Sequence, residues 1–262
     1  MIQLDLIKQY FPPQIQDKPA FNKYMIKEYL QLTILDFLSS SQYIRKLVFI
    51  GGTNLRLIKG IDRFSEDLDF DCKNLSKDEF MKMTDSVLIF LKRNGYRVEA
   101  KDSYSDKLKA FRRSIYFPEF LFELGLSGHR EERFLIKVES QDQQIEYKQK
   151  LATIKGCGLY FMIPVPVDDV LCAMKVSALL SRQKGRDFYD VMFLMGQAKP
   201  DFDFLSAQCG ISNMDELKQA FEKMLQSINL SHKAKDFEHL AFDKSNTRRI
   251  LLFNDFVSNI VV

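Results

Sequence analysis

The sequence predicts a mixed α/β (α+β) chain: a first part built on a small mixed sheet flanked by helices, then a mainly helical remainder. Three observations carry this. Short segments alternating apolar and polar residues recur between residues 46 and 163, which is the period of strands. Two long stretches of the first part, residues 20–39 and 76–94, keep helical spacing instead. After Pro164 only helical spacing remains, so the boundary falls between residues 1–165 and 166–262.

In order, Pro12-Pro13 and Pro19 break the start into a loop. Residues 20–39 read as a helix with Tyr24, Ile26, Tyr29, Leu30, Ile34, Phe37 and Leu38 turned inward. Residues 46–50 read as a short buried strand, 53–59 as a short helix closed by Gly60, and 68–71 as a strand. Ser76, with Glu79 three residues on, is a capping box opening a helix to Asn94, closed by Gly95. Strands follow over 96–100, 114–117, 134–140 and 160–163. Asp168 stands where an N-cap belongs, Lys184-Gly185 breaks the helix that follows, and RDFYDVMFLMG starts another.

The 262 residues, 46% hydrophobic, suffice for a real core in one large or two modest domains. A net charge of +3 neither demands nor excludes a nucleic-acid partner. Cys72, Cys157, Cys172 and Cys209 are widely spaced, which indicates neither a zinc site nor a disulfide framework and predicts reduced, buried thiols. The start lacks the order of a signal peptide, and no apolar run spans a bilayer. The expectation is a cytoplasmic protein with no membrane partner.

The densest chemistry is FIGGTNLRLIKGIDRFSEDLDFD, residues 49–71. On a strand, Asp67 and Asp69 project to one face while Leu68 and Phe70 face the core. Two adjacent carboxylates stay ionised only with a cation beside them or at the cost of a raised pKa. Mg²⁺ takes such hard oxygens together with phosphate and water. Gly51 and Gly52 let backbone N–H groups approach a phosphate, and the following turn presents a helix N-terminus to the same anion. Two plainer readings compete. A calcium loop would need Gly where Cys72 stands, and a solvated acidic edge strand would need no glycine pair ahead of it. On FLIKVES, Lys137 and Glu139 share one face, so Glu139 completes the carboxylate set if this strand neighbours residues 68–71; otherwise it is an ordinary exposed Glu.

This ordered set resembles the AbiEii/AbiGii group of nucleotidyltransferases, within the DNA polymerase β-like superfamily. The resemblance is carried by Gly51-Gly52-Thr53, by Arg63-x-Ser65-Glu66-Asp67-x-Asp69 and by Glu139, which stands where the family also shows Asp. Downstream, DDVLCAMKVSALLSRQKGRDFYD supplies a helix Lys, Lys175, and the segment Arg186-Asp187-x-x-Asp190. The resemblance spans about residues 47–195 and implies a nucleotidyltransferase core over 1–165, with a helical domain over 166–262 closing the active-site cleft. It implies an NTP as co-substrate and Mg²⁺ or Mn²⁺ held by Asp67, Asp69 and Glu139. Asp67, Asp69, Lys175 and Asp187 are the implied catalytic set, and Gly51, Gly52, Thr53, Arg63, Ser65 and Lys175 the nucleotide contacts. It further implies a toxin of a type IV toxin–antitoxin or abortive-infection system, a cognate antitoxin as partner, and tRNA as acceptor.

The residues themselves leave alternatives open. Lys175 on a largely apolar face is either a phosphate clamp or a snorkelling stem. Asp187 could position Lys175 or the nucleotide, and Asp190 could cap the helix or pair with Arg186. Arg63 and Ser65 either reach phosphate or sit on a loop surface. Residues 101–117 mix Lys101, Lys107, Lys109, Arg112 and Arg113 with Tyr104, Phe111 and Tyr116, which suits single-stranded RNA, although such a run is more often a solvated loop and edge strand. A small-molecule (aminoglycoside-like) nucleotidyltransferase, a protein nucleotidyltransferase and a non-catalytic nucleotide-binding module also fit.

Overall fold

The computed structural model describes residues 3–101 and 110–260, so Tyr104, Lys107 and Lys109 of the basic–aromatic stretch lie outside the described residues. The chain divides into two compact units. The first comprises Met1–Gly60, Phe64–Gln144 and Leu151–Val165. The second comprises Ile61–Arg63, Ile145–Lys150 and Pro166–Val262.

The first unit holds a five-stranded mixed sheet of β1 (Leu47–Ile50), β2 (Asp67–Cys72), β3 (Glu99–Lys101), β4 (Phe111–Tyr116) and β5 (Leu135–Gln141), in the order β1-β2-β5-β4-β3. Only the β2–β5 pairing is parallel. Alternation sorts the two faces. Leu47, Phe49, Leu68, Phe70, Ile115, Ile136 and Val138 join one buried cluster with residues of the helices Asn22–Ser39 and Lys77–Arg93. Between those helices Phe37 stacks on Phe90 with ring centroids 4.4 Å apart. Truncating a fully buried ring such as Phe70 to Ala would cost about 3–5 kcal/mol. The opposite face carries Asp67, Asp69, Lys137, Glu139 and Arg112, while Arg113 shares the core face with Ile115 and donates there to Thr84 and Asp85 of the helix Lys77–Arg93.

The predicted capping box is present: Glu79 N–H donates to Ser76 Oγ, and Ser76 N–H donates back to Glu79. Hydrogen-bonding to Lys46, then to the Ser76 backbone, holds the Glu79 carboxyl down to about 2. The strand β6 (Gln149–Gly156) is absent from the sequence reading because KQKLATIKG alternates only weakly. It pairs with β7 (Leu159–Pro166) in a separate two-stranded sheet. Cys157 and Gly158, both at positive φ, form the two-residue turn whose twist suits a hairpin.

In the second unit the principal helices are Asp168–Arg182, Gly185–Met195, Phe202–Cys209 and Met214–Leu225. Val167, not Asp168, occupies the N-cap of the first. Asp168 instead opens the first turn, where negative charge suits the helix dipole, and pairs with Lys150 at 2.6 Å. Gln183 at φ 53° ends this helix, while Gly185 begins the next. A Cβ on Gly185 would run into the Lys233 carbonyl, standing 2.8 Å from its carbon. Phe188, Phe221 and Phe253 form an edge-on aromatic core, with centroids 5.0 and 5.4 Å apart.

The four thiols are free. Cys72 and Cys172 are buried as expected, but Cys157 is half-buried and Cys209, at the end of its helix, is exposed. Among the described residues no helix is long and apolar enough to cross a membrane.

Candidate active site

The turn after β1 is built around the acid strand. Gly51 has φ 81°, a conformation that costs an L-residue about 1–2 kcal/mol. A Cβ there would also overlap Asp69 Oδ2 and stand 2.7 Å from Asp69 Cβ and Cγ. The glycine is required twice over: for its backbone, and to leave space for the Asp69 carboxylate. The helical turn starts at Gly51, two residues ahead of the expected helix, and runs through Leu55–Lys59 to Gly60 at φ 72°. Asn54 Nδ2 donates to the Phe49 carbonyl at 2.7 Å. The buried Thr53 hydroxyl donates to the Asp67 carbonyl at 2.5 Å. Through that bond the glycine turn and the acid strand are fixed to each other.

Register then assembles the charges. Asp69 lies opposite Glu139 and Asp67 opposite Lys137 in the parallel β2–β5 pair, and Ile50 faces Asp69 from β1. Arg112 on β4 lies opposite Glu139 from the other side. The strand of Glu139 is thus the neighbour of the D-x-D strand. Arg112 Nε sits 2.6 Å from Glu139 Oε1, and its Nη2 donates to Oε2 at 2.9 Å. Lys137 Nζ stands 3.9 Å from Asp67 Oδ1. Burial pushes the Asp67 carboxyl above the ordinary range; Lys137 opposes this, and Glu139 and Glu66 add to it. Glu66 itself accepts from Lys27 at 3.3 Å. Asp71 is almost wholly buried and accepts from the Gln143 N–H at 2.9 Å, so it ties down the chain beyond β5.

A divalent cation is the natural counterpart of such carboxylates. Among the described residues no group of three or more His, Cys, Asp or Glu side chains converges on a cation position. Asp67 and Asp69 share a face, and Gly51 clears the room in which Asp69 sits. Two carboxylate oxygens, with phosphate and water to complete the shell, are a set Mg²⁺ or Mn²⁺ takes. Glu139 stands beside them in register with its carboxylate on Arg112.

Other expected site residues have defined places. Ser65 is buried rather than on a loop surface, and its carbonyl accepts from Gln31 Nε2 at 3.2 Å. Arg63, Lys175, Asp187 and Asp190 belong to the second unit. Arg63 is 1% exposed and grips Asp190 with two hydrogen bonds, Nε to Oδ1 at 2.8 Å and Nη2 to Oδ2 at 2.7 Å. Lys175 Nζ donates to the same Asp190 Oδ2 at 3.0 Å. Asp190 therefore pairs with Arg63 and Lys175, where the sequence suggested a cap or Arg186. Burial alone would raise its carboxyl; Arg63 and Lys175 outweigh that and hold it below the usual range. Burial also lowers Lys175, with Asp190 opposing. Asp187 accepts from Arg182 Nε and Nη2 at 2.9 and 2.7 Å and from the Lys184 N–H at 3.1 Å, which fixes the turn between the two helices.

Arg112 and Lys137 are the site residues that sequence reasoning assigned elsewhere or not at all. Their proximity to the acids is set by strand pairing, and the one legible signal was the alternation that puts Lys137 and Glu139 on a common face.

Comparison with known proteins identifies the family and the fold. The family described as nucleotidyl transferase AbiEii toxin, type IV toxin–antitoxin system, matches residues 33–249. The fold is similar to MenT4, a nucleotidyltransferase toxin from Mycobacterium tuberculosis, at 15% identity and TM-score 0.61, covering 100% of this chain and 91% of that one. It is also similar to JHP933 from Helicobacter pylori, at 18% identity and TM-score 0.53, covering 89% of this chain and 91% of that one. No match is found among curated protein sequences. The family match covers most of the chain, and with it the glycine turn, the acid strand and the downstream Lys and Arg-Asp segment: the chain belongs to the AbiEii nucleotidyltransferase toxins of type IV toxin–antitoxin systems.

Proposed function

We propose that this nucleotidyltransferase moves an NMP from an NTP to an acceptor hydroxyl on RNA, tRNA in particular, and that a cognate antitoxin restrains it. The observation that carries the transfer chemistry is the register of β2: Asp67 and Asp69 on one face, against a glycine turn that has no other way to accommodate Asp69.

Asp67 and Asp69 would hold Mg²⁺ or Mn²⁺, which when bound supplies charge neutralisation for the attacking and leaving oxygens. The rest of the work is positioning, as phosphoryl chemistry requires. The acceptor hydroxyl gives up its proton to solvent as its oxygen attacks the α-phosphorus, the bond from that phosphorus to the bridging oxygen breaks, and pyrophosphate leaves. Because the Thr53 hydroxyl is committed to Asp67, the turn offers phosphate the backbone N–H groups of Gly52 and Thr53. Asp187 fixes the turn after the Lys175 helix, and Lys175, buried against Asp190, takes its assignment as a triphosphate contact from the motif order alone. Arg63, held by Asp190, serves that ion cluster. Arg112 and Arg113 are also committed, to Glu139 and to Asp85 and Thr84, so these two residues do not support an RNA acceptor; the acceptor follows from the sequence resemblance.

The test incubates the protein with Mg²⁺, total tRNA and each α-³²P-labelled NTP in turn. Label on tRNA is the expected result. Label on protein alone would replace the RNA acceptor with a protein one, and transfer only to added aminoglycosides would replace it with a small molecule.

A further inference from the structure

The third carboxylate of the acidic face is held by an arginine. Glu139 is directly opposite Asp69 in the parallel register and directly opposite Arg112 in the antiparallel one, so it can serve either neighbour. The structure shows it serving Arg112, with both carboxylate oxygens within 2.6–2.9 Å of guanidinium nitrogens. The pair is partly buried, with side-chain exposures of 32% for Arg112 and 22% for Glu139, so solvent screens it less than a fully exposed pair. One hydrogen bond, from Nη2 to Oε2, and the close Nε–Oε1 ion contact place the guanidinium against this carboxylate, an arrangement a Lys ammonium would not reproduce. Consistently, among the described residues no three acidic or metal-ligating side chains converge.

We propose that Arg112 is a positioning residue that keeps Glu139 out of the cation site, so that Asp67 and Asp69 alone meet a free divalent ion. Two carboxylates bind a hard cation weakly without further oxygens, and the triphosphate is the natural source of those oxygens. The cation therefore enters with the nucleotide rather than ahead of it. This makes metal loading conditional on substrate and leaves the protein without nucleotide largely metal-free. The inference rests on the reading that Asp67 and Asp69 hold the cation. Charge supports it as well as geometry: Glu139 first, then Asp67 and Asp69, raise the basicity of Arg112, so its guanidinium stands as the resident countercharge of this face.

The test is Mn²⁺ binding to the full chain without nucleotide, followed by titration calorimetry and by the loss of the free-ion resonance signal. Variants are Arg112→Met, Arg112→Lys, Glu139→Gln, Arg112→Met/Glu139→Gln and Asp69→Asn, each checked for folding by its melting curve. Arg112→Met should bind free Mn²⁺ roughly tenfold more tightly, because Glu139 gains a metal to bind and a resident cation is removed. Adding Glu139→Gln should abolish that gain. Arg112→Lys keeps the charge and should bind Mn²⁺ more weakly than Arg112→Met. Glu139→Gln alone should leave wild-type binding within about twofold. Unchanged or weaker binding by Arg112→Met overturns the inference, as does a tenfold loss in Glu139→Gln alone, which would make Glu139 a ligand already. The reading beneath it fails separately, if Asp69→Asn binds Mn²⁺ as wild type does.

Discussion

Replacing Asp190 with Asn tests what the buried ion cluster of the helical unit is for. Asp190 is 0% exposed and shared by Arg63, at 1%, and Lys175, at 5%. The amide removes the only carboxylate these contacts have in common and leaves two buried cations facing a neutral group. Breaking a buried pair from one side costs about 3–5 kcal/mol. At about 2–4 °C per kcal/mol for a chain of 150–250 residues, the melting temperature should fall by roughly 6–20 °C. Lys175→Met should cost much less, since Arg63 and Asp190 remain paired by two hydrogen bonds and Lys175 no longer has to be desolvated. The sign with pH follows from the depressed Asp190 carboxyl. Its stabilisation is complete above its unfolded value near about 3.9 and is lost as pH falls through the lower folded value, so the gap between wild type and variant should narrow in acid. Differential scanning calorimetry at pH 7 and in acid reads all of this. An Asp190→Asn protein melting within about 2 °C of wild type, or destabilised less than Lys175→Met, would refute the reasoning.

Three further outcomes are expected. Asp67→Asn should abolish transfer yet raise stability by on the order of 1 kcal/mol, because the folded state raises the Asp67 carboxyl and so disfavours its ionised form as pH rises through that value; activity and calorimetry together check this. Gly51→Ala should lose transfer and about 1–2 kcal/mol of stability, from its φ of 81° and the overlap with Asp69; wild-type kcat would contradict it. Ser76→Ala should cost about 1 kcal/mol and leave transfer unchanged, read by urea unfolding beside an activity assay.

What the sequence made legible is what local chemistry dictates. The Ser76–Glu79 box, the period-two acids on β2 and the glycine turn ahead of them each depend on neighbours a few residues away. The helix at residues 20–39 was visible for the same reason, although it begins at Asn22 after a turn over Pro19–Phe21. What was not legible depends on pairing across the chain. Arg112 meets Glu139 across 27 residues, and Arg63 meets Asp190 across 127. No spacing rule connects such positions, so Arg112 reads in the sequence as part of a basic stretch and Arg63 as a loop cation. Strand β6 is not legible because an exposed apolar residue, Leu151, among polar neighbours blurs the alternation.

The most direct test of the central claim, that nucleotidyl transfer depends on the Asp67–Asp69 face, is label transfer from α-³²P NTP to tRNA by wild type and by Asp69→Asn, at equal concentrations of protein shown to be folded by its melting curve. The account predicts transfer by wild type and a loss of about a hundred- to a thousandfold in the variant, the scale on which removing a transition-state charge stabiliser acts. An Asp69→Asn protein that transfers label at the wild-type rate would contradict it.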